Sequence, residues 1–227
     1  MIASQTQAKR PVATQQDIEV IAPIVVIVDD DEPVRSALSE LLQSAGFAVS
    51  VFASTREMLD AEVLGRPGCL ILDVRMPGIS GLDLQKRLAK DGNVKPIIFL
   101  TGHGDIPMTV EAMKAGAIDF LTKPARDQTL LDAVAKAIAL DAERRAQAVA
   151  VEHTRQLVET LTRREHQVLS EVAKGRLNKQ IAFDLGISEV TIKLHRSNGM
   201  RKMKAQSVSA LVRAWDALPE GVRKARV

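Results

Sequence analysis

The sequence predicts an α/β fold followed by a small all-helical domain, on three observations. Five short apolar runs alternate with amphipathic stretches between Ile24 and Leu121. From Asp127 to Thr160 there is neither proline nor glycine, and from Leu161 onward the pattern is helical. Charge is split as well: residues 160–227 carry 14 Lys+Arg against 6 Asp+Glu, a net of +8, while residues 1–159 carry 17 against 22, a net of −5. A length of 227 residues allows one large domain or two small ones. The asymmetry favours two, with the C-terminal one facing a polyanion.

The runs "IVVIV", "FAVSVF", "CLIL", "PIIFL" and "AIDFL" read as strands. The stretches "PVRSALSELLQSAG", "TREMLDAEVLG", "GLDLQKRLAKDG" and "IPMTVEAMKAG" have the i, i+3, i+4 apolar spacing of helices, with glycines closing them. Strands alternating with helices imply a doubly wound parallel sheet, covered on both faces. The first, third and fourth strands are almost wholly apolar and should be central; "FAVSVF" alternates and suits an edge. The Ala-, Leu-, Glu- and Arg-rich stretch that follows predicts a fifth helix, which packs on the sheet and runs on as a connector.

Beyond Leu161, "LTRREHQVLSEVAKG" opens with Thr162 and Glu165 at capping-box spacing. Asn178 is the expected cap of "NKQIAFDLG"; further helices begin at Ser188 and Ser207. This gives the boundaries: a disordered tail over 1–23, the α/β domain over 24–141, a linker helix over 142–159, a four-helix domain over 160–218 and a frayed tail over 219–227. No apolar run approaches the roughly 20 residues of a membrane helix. The N-terminus lacks the apolar core of a signal peptide, so a cytoplasmic location is expected. The single cysteine, Cys69, excludes an internal disulfide and reads as a core residue.

The chemistry lies at the strand ends. The first strand runs into Asp29 and Asp30, the third into Asp73, the fourth into Thr101 and the fifth into Thr122, Lys123 and Pro124. In an open parallel sheet these ends share one crevice. Three carboxylates there call for a cation, and hard oxygen ligands suit Mg²⁺. Lys123 adds a point charge for a phosphoryl group, and Thr101 a hydroxyl donor. Asp73, alone on a central strand, is the best candidate for a nucleophile that forms an acyl phosphate. Asp31 and Glu32 instead open the next helix, where its dipole favours negative charge. A phosphatase built on a D-x-D pair would carry its nucleophile on the first strand, which is not the pattern here.

In the C-terminal domain, "NKQIAFDLG" and "EVTIKLHRSNGMRKM" have helix-turn-helix form about Gly186. Val190 or Ile192, with Met200 and Met203, can face the bundle. That turns Lys193, Leu194, Ser197 and Arg201 outward, towards the major groove of double-stranded DNA. Lys179, Arg196, Lys202 and Lys204 can meet phosphates.

The motifs "VDDDEP", "LDVRMPGISG" and "LTGHGDIPMTVEAMKAGAIDFLTKP" resemble the receiver domain of two-component response regulators. "TGHGDIPMTVEAMKAGA" is particularly similar to the FixJ-like group, which includes the styrene-catabolism regulators. "LTRREHQVLSEVAKG", "NKQIA" and "TIKLHRSNGMRKM" are similar to the LuxR/FixJ-type DNA-binding domain. The resemblance implies a flavodoxin-like sheet of order 2-1-3-4-5. It implies that a sensor histidine kinase phosphorylates Asp73, with Mg²⁺ held by Asp29, Asp30, Asp73 and the backbone carbonyl of Arg75. Lys123 would contact the phosphoryl group beside a cis Lys123-Pro124 bond, and Thr101 and Phe120 would be the switch pair. A homodimer would form through the face made by the "IPMTVEAMKAG" helix and the strand after it. Binding to promoter DNA, with RNA polymerase as a further partner, would then activate transcription, with no membrane involved. Lys193, Leu194 and Ser197 match base-contact positions. Three residues depart from the pattern: Ala125, where Phe is frequent, Ser197, where a basic residue is frequent, and Gly199, where an aliphatic residue is usual. His103 reads as a loop residue.

Overall fold

The structure is a computed structural model and describes residues 22–102 and 104–224. The expected N-terminal tail up to residue 21, and His103, lie outside the described residues. The chain divides between Asp141 and Ala142 into two compact units.

In the first unit, β1 (Ile24–Val28), β2 (Ala48–Phe52), β3 (Gly68–Leu72), β4 (Ile97–Thr101) and β5 (Asp119–Thr122) form one parallel sheet of order β2-β1-β3-β4-β5. This is the order expected. Every residue of β1, β3 and β4 is buried, whereas β2 is partly exposed and lies at an edge. The helices are α1 (Glu32–Ser44), α2 (Thr55–Asp60), α3 (Gly81–Lys90), α4 (Ile106–Lys114) and the first part of α5 (Asp127–Glu159), which continues past Asp141 into the second unit. Successive strand residues point to opposite faces, and the core divides accordingly. Ile24, Val26 and Val28 join Met58, Leu84 and Ala112 on the α2–α4 side. Val25 and Ile27 join Leu42, Leu130 and Val134 on the α1/α5 side.

One local reading changes in this unit. "TREMLDAEVLG" is not one helix: α2 stops at Asp60, Glu62 takes a left-handed φ of 52°, and Val63–Gly65 forms a separate 3-10 turn. Burying both Met58 and Val63 on the sheet requires this break. At the opposite end of the sheet from the acids, Asp141 of α5 is buried and its Oδ2 accepts from the Gly68 N–H at 2.8 Å. Cys69 is a core residue, as expected, and burial pushes its thiol up to about 12.

The second unit holds α6 (Arg163–Ala173), α7 (Asn178–Leu185), α8 (Glu189–Lys202), α9 (Val208–Asp216) and α10 (Glu220–Lys224). Its core gathers Val168, Leu169, Ile181, Ile192, Met203, Leu211 and Trp215. The Thr162–Glu165 capping box is present, and Ser188 and Ser207 cap α8 and α9. Asn178 is not a cap. Leu177 occupies that position, its N–H donating to Gln180 Oε1, while Asn178 Oδ1 accepts from Arg196 Nη1 at 2.9 Å. The expected frayed tail forms α10 over Glu220–Lys224, and Val222 packs on the core, while residues 225–227 lie outside the described residues.

Gly199 has a packing reason. A Cβ at this position would lie 2.8 Å from Leu169 Cδ1 and 3.0 Å from Leu169 Cγ. Leu169 is fully buried on α6, so Gly199 allows α8 its close approach there, which offsets its helix-propensity cost of about 1 kcal/mol. We expect Gly199→Val to destabilise the C-terminal unit by about 1–3 kcal/mol through overpacking, and Leu169→Ala to recover part of the loss in the double variant. Urea unfolding of the four proteins measures both.

Candidate functional site

The parallel register sets the site. Val28 pairs with Leu72, so Asp29 and Asp73 follow on adjacent strands, and the Asp73 N–H donates to the Val28 carbonyl at 2.9 Å. Asp29 and Asp73 are buried and Asp30 is exposed; one carboxylate oxygen from each of the three lies within 4.8 Å of the others. Lys123, just past the end of β5, donates from Nζ to Asp29 Oδ2 at 2.5 Å and to Asp73 Oδ2 at 2.9 Å. The Lys123-Pro124 bond is cis. The Lys123 N–H also donates to the Thr101 carbonyl at 2.8 Å, which ties the ends of β4 and β5.

Burial pushes the Asp29 carboxyl above the usual carboxylate range, despite the opposing hydrogen bond from Lys123. Burial acts to lower Lys123, but its hydrogen bonds to Asp29 and Asp73 outweigh that and hold it above the ordinary lysine value. An all-oxygen set of three carboxylates on two strand ends fits a hard divalent cation such as Mg²⁺. The backbone at Arg75 turns back to the site, its N–H donating to Asp73 Oδ1 at 3.2 Å, and the Arg75 side chain is exposed.

Thr101 is fully buried at the end of β4. Phe120 is half-buried, its ring 5.9 Å from that of Phe99. A Cβ on Gly104 would meet Phe120 Cε1 at 2.7 Å and Thr101 Cγ2 at 3.5 Å. The hydroxyl residue, the ring and the loop between β4 and α4 are therefore packed together. Sequence reasoning missed two supports. Arg35 of α1 donates from Nη1 to the Asp29 carbonyl at 2.6 Å. A Cβ on Gly81, the first residue of α3, would sit 2.3 Å from the Asp73 carbonyl oxygen. The glycine between Ser80 and Leu82 was a visible signal for the second; nothing in the sequence marked Arg35.

On α8, Lys193, Leu194, Ser197 and Arg201 are exposed together, as is Lys179 on α7. Ile192 fills the core and Val190 is 75% exposed, which resolves the alternative left open above. Arg196 is half-buried on Asn178. Lys202 is not a free cation for phosphate: its Nζ donates to Glu165 Oε2 at 2.6 Å and to the Thr160 carbonyl at 3.2 Å. Lys204 is exposed.

A sheet that gathers acids and a lysine at its strand ends, on the same chain as a helix-turn-helix, defines a two-part signalling protein that acts on DNA. Residues 25–135 match the response regulator receiver domain, and residues 159–215 match the bacterial regulatory proteins of the luxR family. The chain belongs to the response regulators that join these two domains. It is 50% identical over 195 residues to Nodulation protein W of Bradyrhizobium diazoefficiens, covering 86% of each chain. It is 48% identical over 201 residues to Response regulator protein TodT of Pseudomonas putida strain F1, covering 88% of each. Among solved structures it resembles the response regulator StyR, with a TM-score of 0.73 and 49% identity over 86% of this chain and 98% of that one.

Asp29 has a folded-state pKa above its ordinary 3.8. Folded protein therefore holds this proton more tightly than unfolded protein. The resulting stabilisation is complete at low pH and is lost as pH rises through the folded value. Lys123 is raised above 10.5, so its contribution is lost only as pH climbs through that higher folded value. In EDTA, we expect the stability of the native sequence relative to Asp29→Asn to fall as pH rises above the ordinary carboxylate value of 3.8, read by urea unfolding at each pH.

Proposed function

We propose that Asp73 is the phosphoacceptor of this response regulator and that a sensor histidine kinase is the phosphodonor. The observation that carries this is the double hydrogen bond of Lys123 to Asp29 and Asp73, beside Asp30. The Asp73 carboxylate attacks the phosphorus of a phosphohistidine. A P–O bond forms, the P–N bond breaks, and the imidazole leaves with the electron pair. Asp29, Asp30, Asp73 and the Arg75 carbonyl would hold Mg²⁺, which when bound neutralises charge on the phosphoryl oxygens. Lys123 exchanges its contact with Asp73 for one with the phosphoryl group. Thr101 moves towards that group, and Phe120, packed in the same cluster, follows.

This change would remodel the α4–β5 face, where Ile106 is 81% exposed and Val110 and Met113, four and seven residues on, are also exposed. That row of apolar side chains supports homodimerisation there. The dimer would present two α8 helices to paired DNA half-sites, with Lys193, Leu194 and Ser197 at base edges and Lys179, Arg196 and Arg201 on or near phosphates. The segment over 142–159 would be the linker helix, and RNA polymerase a further partner. No described helix is long and apolar enough to cross a membrane, and the reading places the protein in the cytoplasm.

Acetyl phosphate with Mg²⁺ should label the protein with one acid-stable, base-labile phosphate, and Asp73→Asn should remove it, by intact mass. Persistence of that label in Asp73→Asn would overturn the assignment. Lys179→Ala should weaken binding about equally on all duplex sequences and reduce the slope of log affinity against log salt by about 1, measured by fluorescence anisotropy across a salt series.

A further inference from the structure

We infer that Val190, together with Leu194, reads thymine methyl groups in the DNA half-site, an inference that rests on the DNA-binding reading above. Val190 is 75% exposed and Leu194 is 57% exposed, while their neighbour Ile192 is fully buried. Residues four apart lie one above the other on a helix, so the two form a single apolar ridge on α8, and exposed Ser197 continues that face. Val190 is the second residue of α8, directly after the Ser188 cap and Glu189. It therefore lies in the part of a recognition helix that meets base edges.

The ridge is bordered by cations. Lys193 and Arg201 are exposed on the same helix, and Lys179 is exposed on α7. An occupant must then be anionic overall and still offer apolar points. The major groove of DNA offers one such group, the C5 methyl of thymine. Glu189 sharpens the placement. Its carboxylate lies 3.6 Å from the Lys193 ammonium and is repelled by phosphate, which turns this first helical turn towards base edges rather than the backbone. Val190 and Leu194 are about 6 Å apart along the helix axis, close to two base-pair steps. The ridge thus selects two thymines close together in each half-site and disfavours cytosine, which lacks the methyl.

The test uses the full chain, treated with acetyl phosphate and Mg²⁺, to select duplexes from a randomised pool. Each thymine of the selected site is then replaced singly by deoxyuridine, which removes only the methyl. One replacement should weaken binding about four-fold, the effect of burying one methyl, and this loss should vanish in Val190→Ala. A second replacement within two base pairs should behave the same way with Leu194→Ala. Val190→Thr, which keeps one methyl, should retain most of the first effect. Both positions are exposed, and matched unfolding curves check that the variants fold. Deoxyuridine without effect at every position, or effects unchanged in Val190→Ala, would overturn the inference while leaving DNA binding intact. A pool that yields no selected duplex would overturn the DNA-binding reading, and the inference with it.

Discussion

The parallel register of β1 against β3 is the constraint on which the site depends. Because Val28 faces Leu72, the first residue past each strand is an aspartate, and the two carboxylates are pressed together at a buried edge. Side chains alternate with period two, so a slip of one residue would send Asp73 to the other face of the sheet. The repulsion is answered by Lys123, which reaches both carboxylates from the end of β5, with β4 lying between β5 and β3. The buried apolar residues of β1, β3 and β4 set the register; Lys123 offsets the resulting charge.

Much of this was legible in the sequence, for a physical reason. Strands buried on both faces need continuous apolar runs, so "IVVIV", "CLIL" and "PIIFL" announced themselves, and the acids and lysine that follow them could only converge. Features decided by tertiary packing were less visible. Periodicity alone could not separate Val190 from Ile192 or show that α2 breaks before Val63. Nor could composition reveal that Gly199 exists for Leu169, since that contact joins residues 30 positions apart. Arg35 escaped notice because its target is a backbone carbonyl, which no side-chain pattern marks.

Charge counts also mislead in a definite direction. The C-terminal segment carries a net +8 by sequence, but several of its cations are occupied within the unit. Lys202 is held by Glu165, Arg176 pairs with Glu171 and Asp184, and the Arg196 guanidinium leans on Asn178. The cations left to meet a polyanion are fewer; exposed Lys179 on α7 and Arg201 on α8 are among them, with Arg163 on α6 and Arg213 on α9. Net charge points to a polyanionic partner; the pairing shows which cations remain unengaged within the unit.

The grip of Lys202 on Glu165 has a consequence for how the C-terminal unit folds. A capping box is normally a local device, complete within one turn. Here the Glu165 carboxylate that closes the box on the Thr162 N–H also accepts from an ammonium 37 residues later, at the last turn of α8. That same ammonium covers the Thr160 carbonyl. The start of α6 and the end of α8 therefore gain part of their stability from each other. Amide protons in these two turns should exchange with solvent in a single opening event rather than fray separately, so α8 shares the cooperativity of the whole unit.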